Sequence, residues 1–486
     1  MARSASLSCV LLLITIDPLA AHGMGERYDL PLPLELYLVA AAVVVAFSCL
    51  VPAAFYRGEQ AKKGYGELSC TLIDLRNAAW PAYFGLAIRC IASIGFILLL
   101  GAGLFGSRDP FKNPLPVFVW VIGWVGVAYI CALLGNIWLL INPWDNLFRF
   151  AEWLRARMMR RGRKSRFAYP SIVGAWPAFA LFWGFAWLEL VWPGRDRPFA
   201  LATLLSGYSV LTWLGMYLFG RETWLEKVEL FSVAFGLFAR FSVVDLRKME
   251  ESDLIVIRPP ASGLVTETPV PISLAAFVLL MLATVTFDGL LETPLWATIH
   301  ETAVTSNFLG LSPALIGMAT STAGLILFPI IFSLLYLLVA RSIAGILSNR
   351  NVTTSTRDIA CRMVLTIVPI SIGYHLSHYL SYLLIAGQFA IPIASDPFAL
   401  QWNLFGTRLY LIDFSVIDSR FVWYASIVFI VSGHIIAVLL AHLQAAKLTP
   451  ADVKTLLLSQ APMVALMTFY TVLSLWILAQ PITKTG

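Results

Sequence analysis

Apolar residues run through the chain in long stretches broken by short polar segments. At about 1.5 Å of rise per residue, roughly 20 apolar residues carry a helix across the hydrocarbon core of a bilayer. The pattern predicts ten such spans, at 34–56, 81–106, 115–141, 171–192, 199–220, 272–290, 314–340, 363–388, 422–445 and 456–480. The fold class is therefore all-α, a polytopic membrane helix bundle of about ten transmembrane helices. Ahead of the first span, residues 1–21 combine Arg3, an apolar run from Leu7 to Ile16 and a Leu19-Ala20-Ala21 ending. They fit a cleavable signal peptide that would leave His22 as the new N-terminus. Asp17-Pro18 and the bulk of Leu19 keep an uncleaved signal anchor open as the alternative.

Two segments between spans have patterns of their own. After Asn142-Pro143, a cap and first-turn pair, Leu147, Phe150, Ala151, Leu154 and Met158 recur at helical spacing, with arginines at the other positions. The spacing predicts an amphipathic helix over 143–162 lying on the inner leaflet. Residues 221–271 open with an apolar half-helix, Val228 to Ala239, and pass into a polar stretch with Pro259-Pro260. This segment divides a five-helix half at 22–220 from a second at 272–486.

Composition closes off alternatives. Of 486 residues 59% are hydrophobic and 13% charged, against about 25% charged in soluble domains. Soluble enzymes, disordered chains and disulfide scaffolds are excluded. The net charge of +6 sits in the loops, so it reads as membrane topology rather than nucleic-acid affinity, and no phosphate-binding glycine loop or zinc CxxC pair occurs. Loops 57–79, 143–168, 221–271, 341–362 and 446–455 hold 24 of the 34 Lys and Arg residues. Positive charge marks the inner side, which places both mature ends outside.

Ionisable side chains within the spans are the candidates for chemistry, because hydrocarbon makes each of them costly. His375 and His378 lie three apart on one helical face; His434 sits mid-span; Asp288 and Glu292 lie four apart at the end of the sixth span. Helical rise puts the three histidines and Asp288 between the midplane and the outer leaflet. Three imidazoles and a carboxylate make a ligand set for a divalent metal ion, with zinc favoured. The same set could be a proton or cation relay in a transporter, with breaks at Gly289, Pro294, Pro329 and Pro369. It could also be a haem or copper site with His375 and His434 as the axial pair. Singly, each histidine also reads as a hydrogen-bonded packing residue. Arg89 reads as paired to a carboxylate or snorkelling, Glu189 as interfacial between tryptophans, and His300, Glu301 and His442 as solvated. A terminal His22 would offer an amine and an imidazole to copper.

The segments HGMGERYDLPLPLELY, FGRETWLEKVELFSVAFGLFARF, FDGLLETPLW and YHLSHYL resemble bacterial membrane proteins named fenitrothion hydrolase, over essentially the whole chain. The resemblance implies an enzyme of the bacterial inner membrane, with both mature termini periplasmic, that hydrolyses an apolar organophosphorus triester to a nitrophenol and a dialkyl thiophosphate. Such a substrate partitions into the bilayer. A metal held by His375, His378, His434 and Asp288 would activate water and polarise phosphorus. Asp288 would ligate the metal or orient the water, and Glu292 would be the general base. The partners expected are the bilayer and the small substrate, with a partner subunit of unknown identity left open.

Overall fold

The computed structural model describes residues 28–55, 70–74, 80–159, 166–245, 254–306, 310–448 and 453–482. The expected signal peptide and His22 lie outside the described residues. The chain is an all-α membrane helix bundle. Among the described residues nine helices are long and apolar enough to cross a bilayer. They are α1 (Leu34–Ser48, extended by a turn to Pro52), α2 (Trp80–Phe105) and α3 (Pro114–Leu134). After the surface helix α4 (Pro143–Met159) and the shorter α5 (Trp176–Leu190) comes α6 (Pro198–Phe219). A short α7 (Arg221–Lys227) and the half-helix α8 (Leu230–Ala239) lead into the second half. There α9 (Ile272–Leu291), the hairpin helix α10 (Pro294–Thr305), α11 (Pro313–Ser348) and α12 (Thr356–His378) are followed by α13 (Leu380–Ser395), α14 (Ser419–Leu448) and α15 (Val453–Ile482).

The fourth expected span, 171–192, is shorter than its apolar run. Gly174 takes a left-handed φ of +48° in a series of turns, so helix begins only at Trp176. Fifteen residues reach about 22 Å, less than a typical hydrocarbon core. Its short length is tolerated because α5 packs along α9 and the Ala175 amide is satisfied by Ser273 Oγ at 2.8 Å.

Strand pairing shows that α5 still counts as a crossing. Residues Cys70–Asp74 form β1, Val244–Asp245 β2 and Leu254–Ile257 β3, in one antiparallel sheet of order β1-β3-β2. Cys70 is opposite Ile257 and Asp74 opposite Leu254, with a bulge between Thr71 and Ile73. The sheet joins residues 70–74 to residues 244–245 and 254–257, so these segments lie at one end of the bundle. An even number of crossings must separate them, and α2, α3, α5 and α6 supply it. At the opposite end, the Tyr28 amide donates to Ile482 O at 2.9 Å, so the first and last described residues lie together.

The enclosed heart of the bundle is α12, whose apolar stretch is 94% buried, while that of α2 is 6% buried and faces outward. Close approach of α12 to α14 depends on two glycines: a Cβ at Gly373 would meet Phe429 O at 2.5 Å, and one at Gly433 would meet Pro369 O at 2.6 Å. Small residues let helix backbones touch, the usual basis of tight packing in lipid. Residues 117–126 of α3 are wound as a π-helix. Such widened turns are rare and concentrate near functional sites.

Candidate functional site

The site grows from the ends of two buried helices. On α9, Thr284 and Asp288 are one turn apart and share a face. On α12, Ser371 and His375 repeat that spacing, with His378 closing the helix. The chain then breaks at Tyr379, where φ −96° and ψ 6° stop one helix before α13 starts another. The expected continuous span at 363–388 is thus two helices, and the break lies at the chemistry.

At that break His378 Nε2 donates to Asp288 Oδ2 at 2.9 Å, and the Tyr379 hydroxyl donates to the same oxygen at 2.6 Å. The His378 side chain is 2% exposed and that of Asp288 15%. A carboxylate in such surroundings is retained only where charged or strongly polar partners hold it. Glu292 follows the end of α9 one turn beyond Asp288.

Beside Asp288 lies a small cavity. Its polar lining is Glu189, Thr284, Asp288, Ser371, His375 and Tyr379, and its apolar wall includes Trp124, Phe182 and Phe238. Free interior volume is about 20 Å³, room for about one water molecule. His375 Nε2 and Ser371 Oγ are buried atoms with no hydrogen-bond partner within the protein, and a bound water needs two to four such partners. The His375 ring is fixed by aromatics: Tyr379 at 4.7 Å, Trp124 edge-on at 5.4 Å and Phe238 at 5.6 Å between centroids.

His434 is placed elsewhere. Its Nδ1 donates to Ile430 O at 2.8 Å within α14, and its ring lies 6.1 Å from that of Tyr470 on α15. The Tyr470 hydroxyl contacts Thr286, on a different face of α9 from Asp288. Of the four ligands expected from the sequence, His378 and Asp288 are in contact, His375 lies on the adjoining cavity, and His434 serves a neighbouring helix contact. Among the described residues no group of three or more His, Cys, Asp or Glu side chains is placed to hold a metal ion. As placed, these residues do not form the expected metal set.

Other assignments also shift. Glu189 turns from the interface toward the cavity it shares with Asp288, while Arg195 Nη1 donates to its backbone oxygen at 2.7 Å. His442 is fully buried and its Nδ1 donates to Gln460 Oε1 at 3.2 Å, so it is not solvated. Arg89 is paired as expected, 3.8 Å from Asp145 and 2.9 Å from Asn146 Oδ1. His300 and Glu301 are exposed on α10. Tyr379, Ser371 and Thr284 were not singled out by the sequence. The four-residue spacings Ser371/His375 and Thr284/Asp288 were the available signal.

Comparison of the chain with protein-family models, with curated proteins and with solved structures finds no match. By its apolar helices the chain is a multi-pass membrane protein.

Proposed function

We propose that this protein passes protons through its membrane-embedded core, with Asp288 as the exchanging group. The observation that carries this reading is the carboxylate held by His378 and Tyr379 against a water-sized cavity that Glu189 and His375 also line. Carboxylate–histidine chains facing a bundle interior are the usual material of proton relays. A proton arriving through cavity water binds an Asp288 oxygen and passes on to His378 when the imidazole carries its own proton on Nδ1, so that Nε2 accepts from the carboxyl instead of donating to the carboxylate. Tyr379 and the aromatic wall keep the acceptor in place while it changes charge. The helix break at Tyr379 resembles the discontinuous helices that build midplane ion sites in transporters.

The metal-dependent triester hydrolase implied by the resemblance would use the same residues differently, with Glu292 as base. Proton transfer is favoured over it because Asp288 and His378 already form the working pair, while the cavity's 20 Å³ takes water and not a triester. Proteoliposomes containing the purified chain and a trapped pH dye test the proposal. Under an imposed potassium potential the wild type should acidify or alkalinise the lumen and Asp288→Asn should not. Equal rates in the two, or none above empty vesicles, would defeat the relay. Release of nitrophenol from fenitrothion by the same vesicles, suppressed by a chelator, would move the site to the hydrolase.

A further inference from the structure

Residues 396–418, between α13 and α14, read as an outer loop in the sequence. Their structure is unlike that of a water-facing loop. Leu404, Phe405, Leu409, Leu411 and Phe414 are 59 to 85% exposed, and Trp402 is 43% exposed. These values match the outward face of α2, where Ile91 is 70% and Phe105 84% exposed. Large apolar side chains exposed at this density call for an occupant.

Three observations indicate which occupant. The first is position. The Phe398 ring approaches to 3.9 Å of where a Cβ on Gly101 would stand, and Gly101 is four residues short of the end of α2. By helical rise the segment reaches roughly 6 Å below that end. Phe389 of α13 likewise meets Phe111, at 5.9 Å. The segment thus reaches about one turn down a spanning helix from its end.

The second is how the backbone is satisfied. The Asp396 carboxylate accepts from the amides of Leu400 and Gln401, both at 2.8 Å. Ser395 Oγ accepts from Phe405 N at 3.0 Å, and Asn403 Oδ1 from Arg408 N at 3.1 Å. Gln388 holds the far side, its Oε1 accepting from Asp413 N and its Nε2 donating to Asp413 O, both at 2.9 Å. Side chains bond backbone amides in water-facing turns as well, and the same bonds let a loop lie at the edge of hydrocarbon, where no solvent can replace them. The third is composition: Trp402, Tyr410 and Arg408 among leucines and phenylalanines are the residue types that favour the headgroup boundary.

We infer that residues 396–418 form an interfacial loop seated in the leaflet that covers the Tyr379 end of the bundle, with lipid as its occupant. Hydroxyl-radical footprinting of the intact chain, one copy per lipid nanodisc, tests this. Oxidation at Phe405, Leu409, Leu411 and Phe414 should fall from that of the urea-unfolded chain to the level of Ile91 and Ile94 on α2. Oxidation at the unfolded level would place the loop in water and overturn the inference in favour of a docking surface for another protein. With one copy per disc, protection cannot come from a second chain. Failure of the proton relay would leave this result unchanged.

Discussion

Two carboxylates of this bundle, Glu229 and the partly buried Asp288, are held in opposite ways. Glu229 is fully buried at the start of the half-helix α8. Its oxygens accept from Phe231 N at 3.0 Å, Ser232 N at 2.8 Å, Ser232 Oγ at 2.5 Å, Tyr208 OH at 2.6 Å, and Trp138 Nε1 and Asn142 Nδ2 at 3.3 Å. These donors surround both oxygens. The carboxylate also answers the positive end of the helix it caps. Asp288 instead takes an imidazole and a phenol on one oxygen and borders a cavity with room for water. A saturated carboxylate among aromatic rings is a fixed part of the architecture. One that borders a cavity with room for water can gain and lose a proton.

The largest effect expected is on transport. Asp288→Asn should lower proton flux by roughly 10²-fold or more, the scale on which a positioned acid–base group acts, while the melting temperature in detergent stays near wild type. A variant that fails to fold would put Asp288 in the same class as Glu229. Next comes Glu229→Ala, which strands buried donors and should cost roughly 3–5 kcal/mol, as breaking a buried charged network does. Thermal unfolding followed by circular dichroism would register it, and an unchanged transition would mean that α8 does not depend on its cap. Tyr379→Phe removes one hydrogen bond to a charged acceptor, worth about 1.5–3 kcal/mol. Flux should drop severalfold and not vanish. The smallest effect belongs to His434→Gln: its ring lies outside the cavity, so flux should be unaltered. A loss equal to that of Asp288→Asn would bring His434 back into the working site.

The sequence made the spans legible because hydrocarbon imposes a length and a polarity that few other environments demand. Nine of the ten expected spans correspond to long apolar helices. The fourth falls short because Gly174 and its turns consume the start of its apolar run, a local conformation that hydropathy cannot register. Within the site, the cost of burying Asp288 and His378 identified both residues, and their pairing follows from that cost. Which faces of α9, α12 and α14 meet is set by close contacts such as Gly373 against Phe429. Depth alone could not tell that His434 turns toward Tyr470 while Glu189 turns toward Asp288. The Glu229 cap was readable in principle, as an acidic residue just before an apolar half-helix.

Infrared difference spectroscopy during a pH step tests Asp288 as the exchanging group most directly, because a carboxyl group that changes protonation contributes a C=O band of its own. The wild type in lipid should show a buried carboxyl band that disappears in Asp288→Asn and persists in Glu292→Gln. A band that survives in Asp288→Asn, or a wild-type spectrum with no buried carboxyl change at any pH at which the protein stays folded, would contradict the assignment of Asp288 as the exchanging group.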